Sequence, residues 1–172
     1  MLRIIGACLI IVSCSALGFM KAMEYKKRIN MLEELKRMFM HLRGEISFAK
    51  NPFMEAFENM TEKEHGIMGE LCELMSIQLK LADGKTFYEK WCMCIDEVLK
   101  GTAFDTQDIT DLKKVGKRLG YLDYNMQLST IDLEIEHLDE IISYLNTDIQ
   151  PKQKVCKCVG VFMGLMITII LL

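Results

Sequence analysis

The chain has 172 residues, of which 51% are hydrophobic, with 21 Lys and Arg against 24 Asp and Glu. That length suits one domain with a real core, and a formal net charge of −3 gives no basis for a nucleic-acid partner. The charge is unevenly placed: Arg3 is the only charge in the first twenty residues, and no acidic residue precedes Glu24 or follows Asp148.

The first element is "IIGACLIIVSCSALGFM", residues 4–20, an uncharged run worth about 25 Å of helix. It is short for a span, as a hydrocarbon core is about 30 Å thick. Lys21, Lys26, Lys27 and Arg28 follow it, while only Arg3 precedes it. By the positive-inside rule the residues after it are cytoplasmic. The segment "IVSC" ending at Cys14 has the look of a lipoprotein cleavage site. An exported lipoprotein with a helical protein-binding domain therefore stays open as the alternative.

Next comes a heptad stripe of Leu32, Leu35, Phe39, Leu42, Ile46 and Ala49, which predicts a long helix packed on another. Asn51-Pro52 stops it and starts another helix, with Asn51 as its cap. Thr61 and Glu64 read as a capping box before "GIMGELCELMSIQLKL". The stretch "ADGK" (82–85) reads as a turn. Residues 86–100 read as a helix with Phe87, Trp91, Cys94, Ile95 and Val98 on its apolar face, ended by Gly101. Residues 105–119 form another, with Ile109, Leu112, Val115 and Leu119 in phase.

The last helix has the longest pattern. Tyr121, Tyr124, Leu128, Ile131, Ile135, Leu138, Ile142, Leu145 and Ile149 alternate steps of three and four. Pro151 marks a possible kink. The tail "CVGVFMGLMITIILL", residues 158–172, is again uncharged, with Lys152, Lys154 and Lys157 before it. It reads as a second short membrane helix entered from the cytoplasmic face, or as a buried core helix. The expected fold is all-α. Residues 21–157 form a cytoplasmic antiparallel helical bundle with long first and last helices, between membrane segments at 1–20 and 158–172.

Chemistry is sparse. His41, His65 and His137 lack metal-ligand spacing, and Cys92-Met93-Cys94 is not a C-x-x-C site. Seven cysteines, four of them in or beside the apolar ends, read as free thiols. There is no Gly-rich phosphate loop and no serine elbow. The sequence predicts a protein without catalytic residues, metal or cofactor. Two G-x-x-x-G pairs, Gly116/Gly120 and Gly160/Gly164, are candidates for close helix packing; Gly120 is equally readable as a helix C-cap. Six acidic and one basic residue fall in 55–74, and seven acidic and no basic residue in 123–148. These are solvated faces or a docking surface for a basic partner.

Two blocks carry a family likeness. "EISFAKNPFMEAFENM" holds Glu45, Ile46, Phe48, Pro52, Phe53, Glu55 and Ala56, and "VGKRLGYLDYNMQ" holds Gly116, Leu119, Gly120, Asp123 and Gln127. With the apolar start and the ending around Gly160 and Gly164, the chain resembles stage III sporulation protein AB of endospore-forming bacteria. The resemblance implies a membrane-anchored subunit of the sporulation channel complex, acting at the mother-cell membrane around the forespore. That family's soluble domain is similar to cytoplasmic domains of type II secretion platform proteins, which couple a cytoplasmic ATPase to an envelope assembly. Such platforms carry two domains of this kind, whereas this chain has one. The implied partners are a secretion-type ATPase and other channel proteins; self-association through Gly160 and Gly164 would supply the second copy. Glu45, Glu55, Asp123 and Gln127 are the candidate docking residues.

Overall fold

The computed structural model describes the side chains of Met20 and of residues 23–48, 51–120 and 123–147. The apolar ends expected to be membrane segments, the kink at Pro151, and Gly160 and Gly164 lie outside these described residues. Among the described residues no helix is long and apolar enough to cross a membrane.

Every regular element among the described residues is helical. The order is α1 (Leu2–Gly44), a π-turn (Glu45–Ala49), α2 (Phe53–Thr61), α3 (Gly66–Lys80), α4 (Phe87–Val98), α5 (Thr106–Leu119) and α6 (Tyr124–Leu171). The chain forms two compact units, one of Asn30–Ile141 and one of Met1–Ile29 with Ile142–Leu172. In the latter, Ile29, Ile142 and Leu145 are buried.

Within the unit Asn30–Ile141, α1 and α6 run antiparallel. Lys36 pairs with Asp139 and Arg43 with Asp132, so residue numbers rise along one helix as they fall along the other. The guanidinium of Arg43 binds both carboxylate oxygens, the fork geometry that only arginine offers. The stripe of α1 is inside: Leu32, Leu35, Phe39, Leu42 and Ile46 are all buried. On α6, Ile131 and Leu138 are buried. Tyr124, read as the second position of that stripe, is instead exposed, because α6 begins there and its phenol turns to a backbone carbonyl.

The short helices build the remaining wall of the core around Trp91. Its ring stacks on Phe87 (centroids 6.1 Å apart) and lies 6.2 Å from Phe57, while Phe53 lies 4.9 Å from Phe87. These contacts join α2 to α4. The indole Nε1 donates to the Leu112 carbonyl at 2.9 Å, which joins α4 to α5 and satisfies the one polar group of a fully buried tryptophan.

Caps set the boundaries, and not all where the sequence suggested. True capping boxes open α4 at Thr86/Glu89 and α5 at Asp105/Asp108. Thr61 is no cap: it is the last residue of α2 and its hydroxyl donates to the Phe57 carbonyl. α3 starts after His65 with no side-chain cap, through Gly66 at φ +64°, a left-handed value glycine adopts without strain. Nor does Asn51 cap α2; Pro52 precedes the first helical residue and the Asn51 amide is used elsewhere. The "ADGK" turn forms as expected, with Asp83 Oδ1 accepting from the Lys85 amide. Beside it the buried Lys90 ammonium donates to the Gln78 and Leu81 carbonyls and pairs with Asp83. A cation thus closes the C-terminal end of α3, where the helix dipole favours it.

Candidate functional site

The most distinctive local structure is the π-turn Glu45–Ala49, which the sequence pattern gave no sign of. Its wider turn is closed by Asn51 N donating to the Glu45 carbonyl at 3.4 Å. Segments of this kind frequently occur at functional sites. Here the turn leaves Phe48 88% exposed. A phenylalanine so exposed forgoes about 1.5–3 kcal/mol of burial.

The turn is held from three sides. The Glu45 carboxylate accepts from Lys63 (2.6 Å), Asn59 (2.9 Å) and Asn51 (3.0 Å). Its side chain is largely covered. Lys63 and Asn59 hold its carboxyl below the usual carboxylate range. From the other side, the Tyr124 hydroxyl donates to the Ser47 carbonyl at 3.1 Å. This bond joins the start of α6 to the residue beside Phe48.

The four docking residues expected from the sequence fall into two kinds. Glu45 has its oxygens committed to three donors of its own chain, and Gln127 donates to the Leu119 carbonyl at 3.3 Å, tying the end of α5 to the start of α6. Asp123 and Glu55 face solvent. Asp123 caps α6 by accepting from the Met126 amide at 3.0 Å, which leaves its second oxygen outward. Glu55 sits in the first turn of α2, one helical turn before Asn59 and therefore on the ridge that reaches Glu45. Exposed Met54, Tyr124 and Met126 neighbour these residues in sequence. Phe48 is thus presented by a turn held by Asn59 and Tyr124, and exposed aromatic side chains are enriched at protein-binding surfaces. Sequence reasoning named the acids and passed over Phe48 as a docking residue. Its signal was an aromatic out of phase with the Leu42–Ile46 stripe.

Of the Gly116/Gly120 pair, Gly116 is buried and Gly120 is exposed. Gly116 lies against the indole, since a Cβ on it would stand 1.9 Å from Trp91 Cδ1. Gly120 is the C-cap of α5 and rests near Phe87, where a Cβ would meet that side chain at 3.4 Å.

Other reactive groups have local partners. His41 Nδ1 contacts the buried Glu64 carboxylate. Burial pushes the Cys72 thiol up to about 12 and the Cys94 thiol to about 11, so neither is a ready nucleophile. Among the described residues no group of three or more His, Cys, Asp or Glu is arranged to hold a metal ion.

Comparison with known proteins adds a family to this geometry. The profile of the family described as stage III sporulation protein AB matches residues 3–172. The chain is 23% identical over 172 residues to stage III sporulation protein AB of Bacillus subtilis (strain 168), covering all of both chains. A solved structure of a stage III sporulation protein AB superposes with a TM-score of 0.64 at 19% identity, over 72% of this chain and 97% of that one. At that identity the superposition speaks for a shared helical fold.

Proposed function

The chain belongs to the stage III sporulation protein AB family, and from that premise we propose that it is a membrane-anchored adaptor that docks a cytoplasmic secretion-type ATPase through the face centred on Phe48. The observation that carries this reading is the pairing of an 88% exposed phenylalanine with a clamp that fixes the turn presenting it. A side chain left in water on a rigid support needs no reordering to bind, which lowers the entropy cost of association. Glu55 and Asp123 give the rim a negative charge that would steer a basic partner surface. Glu45, Tyr124 and Gln127 act as positioning residues, since their polar atoms bond to this chain. In this reading the two apolar ends are the membrane feet, and Lys21, Lys26, Lys27 and Arg28 lie at the cytoplasmic headgroups. The role is scaffolding and carries no catalytic step.

The test is co-flotation of the ATPase of the same sporulation complex with vesicles carrying the full chain. Reversal of Glu55→Lys with Asp123→Lys is expected to lower capture by about tenfold and to flatten its salt dependence. Capture that is unchanged by the double reversal would remove this face from the docking site.

A further inference from the structure

A second surface lies on a different set of helices. A cleft of about 310 Å³ runs between α3 and α4, lined by Glu70, Glu73, Leu74, Ile77, Glu97 and Val98. Its acidic side chains are exposed, and none of the three forms an ion pair among the described residues. Ile77 is 49% exposed, so the cleft has an apolar side as well as a negative one.

The complement stands on α5 of the same chain. Lys114 and Lys117 occupy successive positions of one exposed ridge, about 5–6 Å apart as i and i+3 residues are. Glu70 and Glu73 have the same i, i+3 spacing on α3. Lys114 bonds only to Asp111, one turn away in a solvent-exposed pair that is worth little to keep. Lys117 has no ion-pair partner among the described residues. The Lys114–Lys117 ridge, which borders a cleft between α5 and α6, and the acidic α3/α4 cleft share the same spacing and cannot meet within one copy, because α4 lies between them and pairs with α5 through Asp96 and Lys113.

We propose that the α3/α4 cleft receives the Lys114–Lys117 ridge of a second copy of this chain. The contact is heterologous, so in any pair one copy keeps a free ridge and the other a free cleft, and copies add head to tail into a ring or an open row. It uses none of the residues of the Phe48 face and stands without the ATPase reading.

The experiment uses full-length chain in membranes or detergent at low ionic strength. Copies labelled with heavy and light nitrogen are mixed and treated with a zero-length carboxylate–amine crosslinker. Mixed-isotope links joining Glu70 or Glu73 to Lys114 or Lys117 are expected, and their absence overturns the proposal. In parallel, the E70K/E73K and K114E/K117E variants are weighed alone and mixed. Each alone sets like charges against each other and should associate at least about tenfold more weakly than the unaltered chain. Mixing them restores opposite charges at both contacts and should restore the assembly. Association of either variant at the unaltered strength, or a mixture that stays monomeric while both keep their helical circular dichroism, overturns the proposal. So does an acidic cleft that captures a basic peptide while the chain itself never self-associates.

Discussion

Gly116 gives its place to Trp91: the indole passes where a Cβ would be, 1.9 Å from Cδ1, and so reaches the Leu112 carbonyl. A methyl there has nowhere to go, since the ring is itself stacked on Phe87 and packed near Phe57. Gly116→Ala is therefore expected to destabilise the fold by about 1–3 kcal/mol. Gly120→Ala meets Phe87 only at 3.4 Å and should cost well under half as much. Urea unfolding of both variants checks the contrast, and equal effects would mean that the indole contact is not what requires glycine.

The Glu45 clamp sets a pH dependence. Its folded carboxyl is held below the ordinary value of 4.5, so its contribution is complete above that pH and fades as pH falls through the lowered folded value. Stability should thus decline on acidification more steeply in the unaltered chain than in Glu45→Gln. At neutral pH, Glu45→Ala should cost about 0.5–1.5 kcal/mol, because the exposed Lys63 and Asn59 donors turn to water and the part-buried Asn51 amide loses its acceptor. Chemical denaturation at neutral and acid pH measures both. Parallel pH profiles for the two chains would contradict the clamp.

The hydrogen bond from the Lys90 ammonium is the main reason the Asp83 carboxyl lies below its ordinary value. In Lys90→Met the Asp83 carboxyl should titrate nearer its ordinary 3.8. The Gln78 and Leu81 amide protons should shift as their carbonyls lose the ammonium. Carboxyl-carbon NMR titration reads the first effect and amide spectra the second; an unmoved Asp83 titration would show that the Lys90 ammonium does not reach it in solution.

Much of the bundle was legible because helical burial leaves a period in the sequence. The steps of three and four through Leu32, Leu35, Phe39, Leu42 and Ile46 mark a face that is buried throughout. Caps were less legible, since the same short pattern arises with and without a helix start behind it. Thr61 with Glu64 and Thr86 with Glu89 read alike, yet only the second opens a helix; the first closes one. The π-turn carries no local signature at all. It depends on Lys63, Asn59 and Tyr124, and Tyr124 is 77 residues from Ser47. For the same reason the acidic run on α6 looked like open charge, whereas Asp132 and Asp139 pair with Arg43 and Lys36 on α1.

Topology is the next test. Glu62 and Asn125 are exposed. Single cysteines at these two positions, in a chain otherwise free of cysteine, should be protected from an impermeant maleimide in intact cells and labelled after permeabilisation. Labelling in intact cells would reverse the orientation and favour an exported, lipid-anchored protein.

The docking claim rests most directly on Phe48. Because its side chain is 88% exposed, Phe48→Ala should leave stability within about 0.5 kcal/mol of the unaltered chain. The measurement is the binding isotherm of the ATPase to full-length chain in nanodiscs, with and without that substitution, alongside a melting curve of each. Affinity weakened by about tenfold or more at an unchanged melting temperature is the predicted result. Unchanged affinity would contradict the account, since the exposed aromatic would then have no part in binding the ATPase.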